Sequence, residues 1–308
     1  MANVRFARLC LVALLLATQA SALCNGTVPW PPGQQTVVTL SRPEGDRYYI
    51  VYIPTTYQAN TATGLQLLFH GLNDNCYNFI NATGFIPFAE AEGYIVVAPC
   101  ATIGLLGIAW NSGTCCGFID DQTPNDLEFA RKVVESVSSK LCIDKNKVIT
   151  SGFSNGAMMT QVLGCESPDI FRGLASVSGI VELRPGNGQG IARCSNNITK
   201  STKRPSLLMI HGDFDFLVPW TGDELLGFPT VPDNLQGWLS RNSCVGNWTQ
   251  TLNIKDYTNQ VWTNCKGWGT SSGSVELVRH HGGGHEWPED QFDATGYIHN
   301  WTMRLWKS

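Results

Sequence analysis

Apolar residues along this chain come in short runs separated by stretches with helical spacing, and that alternation predicts a sheet clad by helices. Residues 47–53 alternate into an antiparallel edge strand. Residues 65–69, 94–98, 147–150, 174–177, 207–210 and 275–278 are continuous apolar or β-branched runs, the pattern of strands buried on both faces. Between them, residues 124–141 put Leu127, Ala130, Val134, Val137 and Leu141 on one helical stripe. Thr123 and Asp126 have capping-box spacing there, and Pro124 suits the first helical position. A last helix is predicted around His299, Trp301 and Trp306. Strands alternating with helices imply an α/β fold with a mostly parallel central sheet covered on both faces. With no repeat, low-complexity stretch or linker, a single domain is the economical reading. Two segments break the alternation. Residues 101–123 and 181–205 are glycine-rich and carry cysteines, so they read as long pinned loops. The first follows a strand end, where open α/β sheets bind ligands, and is expected to wall a site.

The amino terminus changes the setting. Arg5 and Arg8, the apolar stretch 9–17 and Ala20-Ser21-Ala22 have the order of a secretory signal peptide, expected to span residues 1–22. Residues 23–308 would then be the exported domain, extracellular and without a membrane span, since no stretch approaches the roughly 20 apolar residues a span needs. Beyond Cys10 in the leader there are Cys24, Cys76, Cys100, Cys115, Cys116, Cys142, Cys165, Cys194, Cys244 and Cys265. An even count in an exported chain suggests up to five disulfides, and no paired CxxC spacing supports zinc instead. Cys244 with Cys265 and Cys165 with Cys194 are the pairings the spacing favours. Cys115 and Cys116 are expected to find different partners, because bridging adjacent residues is strained. Asn25, Asn81, Asn197, Asn247 and Asn300 lie in N-glycosylation sequons. The formal charge is −4, charged residues make up 15% of the chain, and there is no basic run. That balance argues against nucleic acid or an anionic membrane as partner. Nothing in the pattern specifies an oligomeric state.

Chemistry enters at Gly152-Phe153-Ser154-Asn155-Gly156. This GxSxG follows a β-branched run and precedes helical spacing, the context of a serine raised on a strand-to-helix turn. Glycines on both sides permit the turn, and the helix amino terminus points at Ser154. The amide of Asn155 can then stabilise an oxyanion.

A serine nucleophile needs a base, and the α/β-hydrolase chain order is serine, acid, histidine. His70 precedes Ser154 and is excluded, and His211 is disfavoured. His285, in Gly282-Gly283-Gly284-His285 after the last strand, is the best candidate, with His281 next. A metal held by His280, His281 and His285 is the rival reading, but no carboxylate or cysteine has ligand spacing around them. No cofactor is called for. For the acid, the turn after 207–210 offers Asp213 and Asp215; Asp215 lies deeper, before Leu217-Val218-Pro219, and Asp213 reads as a turn residue. His70-Gly71-Leu72 would place a second oxyanion amide, that of Leu72, near Ser154.

With these pieces in order, the chain resembles the polyhydroxybutyrate depolymerase and feruloyl esterase group of α/β-hydrolases, similar to carbohydrate esterase family one. The matching blocks are LLFHG, WNSGTCCG, NDLEF, SGFSNGAMM, HGDFDFLVPW and GGGHEWP. The resemblance implies Ser154, Asp215 and His285 as nucleophile, acid and base, with the amides of Leu72 and Asn155 as oxyanion donors. It also implies two-step acyl transfer on an ester substrate, feruloyl or acetyl groups of a polysaccharide or else a polyhydroxybutyrate-type polyester. Leu72-Asn73-Asp74-Asn75-Cys76 departs from the glycine- and serine-rich loop frequent in such relatives, and no separate polymer-binding module is expected within these residues. Trp110, Trp220 and Trp287 fall near loops and are candidates for substrate contact. An inert hydrolase-fold binding module, or a peptidase, are the readings of other kinds; the first is disfavoured because every proposed member of the machinery is kept.

Overall fold

The computed structural model describes residues 24, 26, 28–118, 123–181 and 189–308. The expected signal peptide and Asn25 lie outside the described residues. Eleven strands are described, β1 (Gln35–Leu40), β2 (Arg47–Tyr52), β3 (Thr63–Phe69), β4 (Ile95–Pro99), β5 (Thr102–Gly104), β6 (Gly107–Ala109), β7 (Ile143–Phe153), β8 (Gly173–Val177), β9 (Ser206–Gly212), β10 (Tyr257–Lys266) and β11 (Ser272–His280). Between and after them come helices α1 (Cys76–Ala82), α2 (Phe85–Glu92), α3 (Asp126–Ser138), α4 (Asn155–Glu166), α5 (Gln189–Lys200), α6 (Val231–Arg241) and α7 (Ala294–Lys307). The main sheet runs β1-β2-β4-β3-β7-β8-β9-β11-β10, and β5-β6 form a separate hairpin. Its centre, from β4 through β11, is parallel, and antiparallel strands close both ends.

The apolar runs are explained by burial on both faces. Along β9, Leu207 and Met209 enter one core and Leu208 and Ile210 the other, all at most 1% exposed. The first core packs under α3, α4 and α6 around Trp238 and Trp110; the second packs under α1, α2 and α7 around Phe79, Phe85 and Trp301. Each such aliphatic side chain contributes about 1.5–3 kcal/mol by leaving water. Residues 47–53 do form an antiparallel strand, but β1 lies outside it as the true edge. β1 alternates half-buried and exposed positions, which gives it a weaker apolar signal.

Three further expectations are corrected. Helix α3 starts at Asp126, not at 124, and its cap is Asn125, whose side chain accepts from the Glu128 amide at 2.9 Å. Asp126 is turned inward to Arg47 at 2.7 Å, where both side chains are buried. The 101–123 segment is not a plain loop, since it carries the β5-β6 hairpin, and 181–205 contains α5. Disulfides join Cys24–Cys142, Cys76–Cys100, Cys165–Cys194 and Cys244–Cys265, the last two as expected. Cys115 and Cys116 bond to each other, not to separate partners. The other eight described cysteines pair among themselves, which leaves these neighbours no other disulfide partner among the described residues. Asn81, Asn247 and Asn300 are exposed, whereas Asn197 is half-buried and donates to Glu166 at 3.1 Å. Among the described residues no helix is long and apolar enough to cross a membrane.

Candidate active site

Ser154 sits between β7 and α4 with φ 53° and ψ −122°, a conformation that a non-glycine residue adopts only when its surroundings compel it. The compulsion is steric. A Cβ on Gly156 would stand 2.0 Å from the Phe69 carbonyl oxygen, and one on Gly152 would stand 2.3 Å from that of Gly156. Strand and helix therefore cross too closely for any side chain on either glycine. The backbone around Ser154 is held by its own amide on Val177 at 2.9 Å and by its carbonyl accepting from Met158 at 3.0 Å. As the first residue of α4, Asn155 offers an amide that has no partner inside the helix.

The loop after β3 lies against this turn: a methyl on Gly71 would be 3.5 Å from Ser154 Cβ. Leu72, Ser154 and His285 line one cavity of about 430 Å³. His70, just before, is fully buried; its Nδ1 donates to the Gly71 carbonyl at 2.8 Å and its Nε2 accepts from the Ala101 amide at 3.2 Å. Burial pushes its pKa below the usual imidazole value. It is a neutral strut for the loop.

Beyond β11, the glycine run brings His285 to the sheet's carboxyl edge. His285 Nδ1 lies 2.7 Å from Oδ2 of Asp215, and both side chains are buried. The other Asp215 oxygen accepts from the amides of Leu217 and Val218, each at 2.9 Å. Burial alone would raise the Asp215 pKa. The His285 hydrogen bond, the Val218 amide and the nearby imidazoles outweigh it and hold the carboxyl below its ordinary value. Asp213 binds differently, accepting from the Gly282 amide at 2.6 Å and pairing with Arg279 at 2.8 Å and His281 at 3.3 Å. It ties down the base of the loop that carries His285. His281 faces Asp213, and Nδ1 of His280 is 2.9 Å from Glu286, so neither is turned to Asp215.

The three tryptophans singled out in the sequence lie away from the cavity of Ser154. Trp110 is completely buried, with its ring edge-on to Phe69 and Nε1 donating to the His70 carbonyl at 2.9 Å. Trp287 packs edge-on against Phe79 and Phe85 and donates to Thr295 at 3.0 Å. Trp220 lies under the Arg279 guanidinium. None of the three lines the cavity of Ser154. Its apolar wall comes instead from Phe153, Met158, Leu226, Phe228 and the Cys115–Cys116 pair. Two supporting side-chain roles, of residues the sequence had marked for other reasons, also escaped the sequence reading. The Asn155 carboxamide accepts from the Trp110 amide at 2.7 Å and donates to the Trp110 carbonyl at 3.1 Å and to Ser112 Oγ at 2.8 Å. Asp126 accepts from the Asn111 amide at 2.7 Å while bonded to Arg47. Asn155 and Asp126 thus fix the loop that walls the site. The NDLEF and WNSG blocks marked the positions without revealing that they meet.

Residues 55–226, more than half of the chain, match the phospholipase/carboxylesterase family. The chain belongs to that family. Among curated relatives of this α/β-hydrolase, feruloyl esterase B of Piromyces equi is 26% identical over 241 residues, covering 78% of the chain and 42% of that protein. Feruloyl esterase D of Neurospora crassa is 30% identical over 56% of the chain and 59% of its own length, and feruloyl esterase C of Emericella nidulans 27% over 74% and 77%. The chain thus spans about half the length of the first two. A solved acetyl xylan esterase from Aspergillus awamori superposes with a TM-score of 0.60 at 17% identity, covering 87% of this chain and 99% of that one. A feruloyl esterase module from Clostridium thermocellum gives 0.57 at 16%, covering 91% and 88%. These structures share the α/β-hydrolase fold, and the resemblance carried by the sequence blocks is to the same group of proteins.

Proposed function

We propose that this chain is a secreted serine carboxylic ester hydrolase acting on feruloyl or acetyl esters of polysaccharides. One observation carries the reading: Ser154, strained on its turn, and His285, bonded at 2.7 Å to buried Asp215, open on the same cavity as Leu72. In the proposed reaction His285 takes the Ser154 proton through Nε2, because Nδ1 is engaged by Asp215. Ser154 attacks the ester carbonyl, and the oxyanion rests on the amides of Leu72 and Asn155. His285 returns the proton to the departing alcohol, and water repeats the sequence on the acyl-enzyme. Asp215 holds the tautomer and stabilises the imidazolium. The leader-like amino terminus and the cystines support export. The names of the relatives support the choice of ester.

A polyhydroxybutyrate-type polyester is the second reading, favoured by the apolar residues around the cavity mouth. Leu106, Leu217 and Leu226 line it while remaining 59%, 54% and 50% exposed. Large exposed apolar side chains gathered in one region mark a contact surface. A panel of methyl ferulate, acetylated xylan and polyhydroxybutyrate film separates the readings. Release of ferulate or acetate supports the first, erosion of film alone the second, and faster cleavage of a matched amide than of its ester would sink both.

A further inference from the structure

Four of the described disulfides join residues 21 to 118 positions apart, and each closes a loop of the chain. The fifth joins neighbours, Cys115 and Cys116. Cross-links stabilise mainly by restricting the unfolded chain, and the effect grows with the loop they close. A bond between adjacent residues restricts almost nothing, so global stability does not account for it. Its place in the fold does. Both cysteines line the cavity shared by Ser154 and His285, with Cys116 7% exposed, and Asn155 Nδ2 lies 3.8 Å from Cys115 Sγ.

Oxidation state decides what this wall offers a substrate. As thiols the pair would bring two S–H donors into a cavity built around a nucleophile. As a disulfide it is neutral, carries no hydrogen-bond donor and is polarisable, which favours contact with the edge or face of a π-system. The cavity, at about 430 Å³, is also far larger than an acetyl group requires.

On the ester hydrolase reading of the site, we propose that the Cys115–Cys116 disulfide is a specificity-determining contact of the acyl cavity. A planar aromatic or unsaturated acyl group lies against the two sulfurs, and an acetyl group does not reach them. The carboxamide of Asn155 ties this wall to the residue that follows the nucleophile, so the sulfur face keeps a fixed position relative to Ser154.

The test compares wild type with Cys115→Ala/Cys116→Ala on methyl ferulate and on p-nitrophenyl acetate. The expected result is a fall of roughly three- to tenfold in the ferulate-to-acetate ratio of kcat/KM, expressed mainly in KM, with Tm little changed. An unchanged ratio, or an equal loss on both esters in a folded variant, would overturn the proposal. Should the double variant not fold, the Ser154→Ala protein crystallised with ferulate answers the same question. A ring centroid within about 5 Å of the sulfurs supports the contact, and a ring seated elsewhere in the cavity refutes it. Failure of the ester hydrolase reading itself is recognisable separately, because wild type would then cleave neither ester.

Discussion

Replacing Asp215 by asparagine isolates the acid's role, because the structure dictates which way the new amide must face. Oδ1 of Asp215 accepts two backbone amides at 2.9 Å, from Leu217 and Val218. In Asp215→Asn the carbonyl oxygen must keep that place, since turning the NH₂ toward those donors leaves two buried N–H groups unpaired at about 1–3 kcal/mol each. The NH₂ then faces His285 Nδ1, 2.7 Å away in the native site, and donates to it. The proton of the imidazole moves to Nε2, and the ring can no longer accept one from Ser154. Flipping the amide back costs about 2–6 kcal/mol, and the charge that stabilised the imidazolium is gone in either orientation. A loss of roughly 10⁴-fold in kcat follows, equivalent to about 5 kcal/mol. Turnover of p-nitrophenyl acetate measures it, with Tm recorded on the same sample. A folded Asp215→Asn protein losing less than tenfold would refute this coupling of tautomer to catalysis. Asp213→Asn, which touches the loop but not His285, should cost far less.

Gly156→Ala should fail to give soluble protein or lose more than about 3 kcal/mol in urea unfolding, since its methyl would meet the Phe69 carbonyl at 2.0 Å. Asp126→Ala strands the buried Arg47 guanidinium and should cost about 3–5 kcal/mol by the same assay. Burial holds the His70 and His211 pKa values below the ordinary imidazole value, so the unfolded chain binds protons first on acidification. Stability should be complete above about pH 6.5 and fall below it by up to about 1.4 kcal/mol per pH unit for each histidine still neutral in the fold. Thermal melts from pH 8 to 5 read this, and His70→Gln should flatten the slope. Asp213 and Asp215 have folded pKa values below the carboxylate norm, so their stabilisation is present above about pH 4 and is lost as pH falls through the folded values. Melts of Asp213→Asn should show a weaker decline in that range.

The central strands were legible because both faces are buried, and β4 and β9 up to Ile210 had to be built of apolar or small residues. β1 was not legible, since it lies at the end of the sheet and half of its residues are exposed. At the site, Ser154, Asp215 and His285 stood out because each occupies a short segment of special composition at a strand end. The placement of the tryptophans was not legible for the converse reason: a tryptophan near a loop carries no sign of which way its ring turns, and Trp110 and Trp287 turn toward the core. Cys115 and Cys116 could not be paired from spacing, since pairing depends on where all ten sulfurs end up in space. The inward turn of Asp126 was hidden by its resemblance to an ordinary helix-capping residue. Only the fold brings Arg47, from β2, to meet it.

Ser154→Ala tests the central claim most directly. Wild type and variant are compared for p-nitrophenyl acetate turnover and, by intact mass, for labelling with a serine-directed fluorophosphonate. The variant is expected to lose several orders of magnitude in kcat and all labelling while keeping the wild-type Tm. Retained esterase activity in a folded Ser154→Ala protein, or a label that persists on it, would contradict the account.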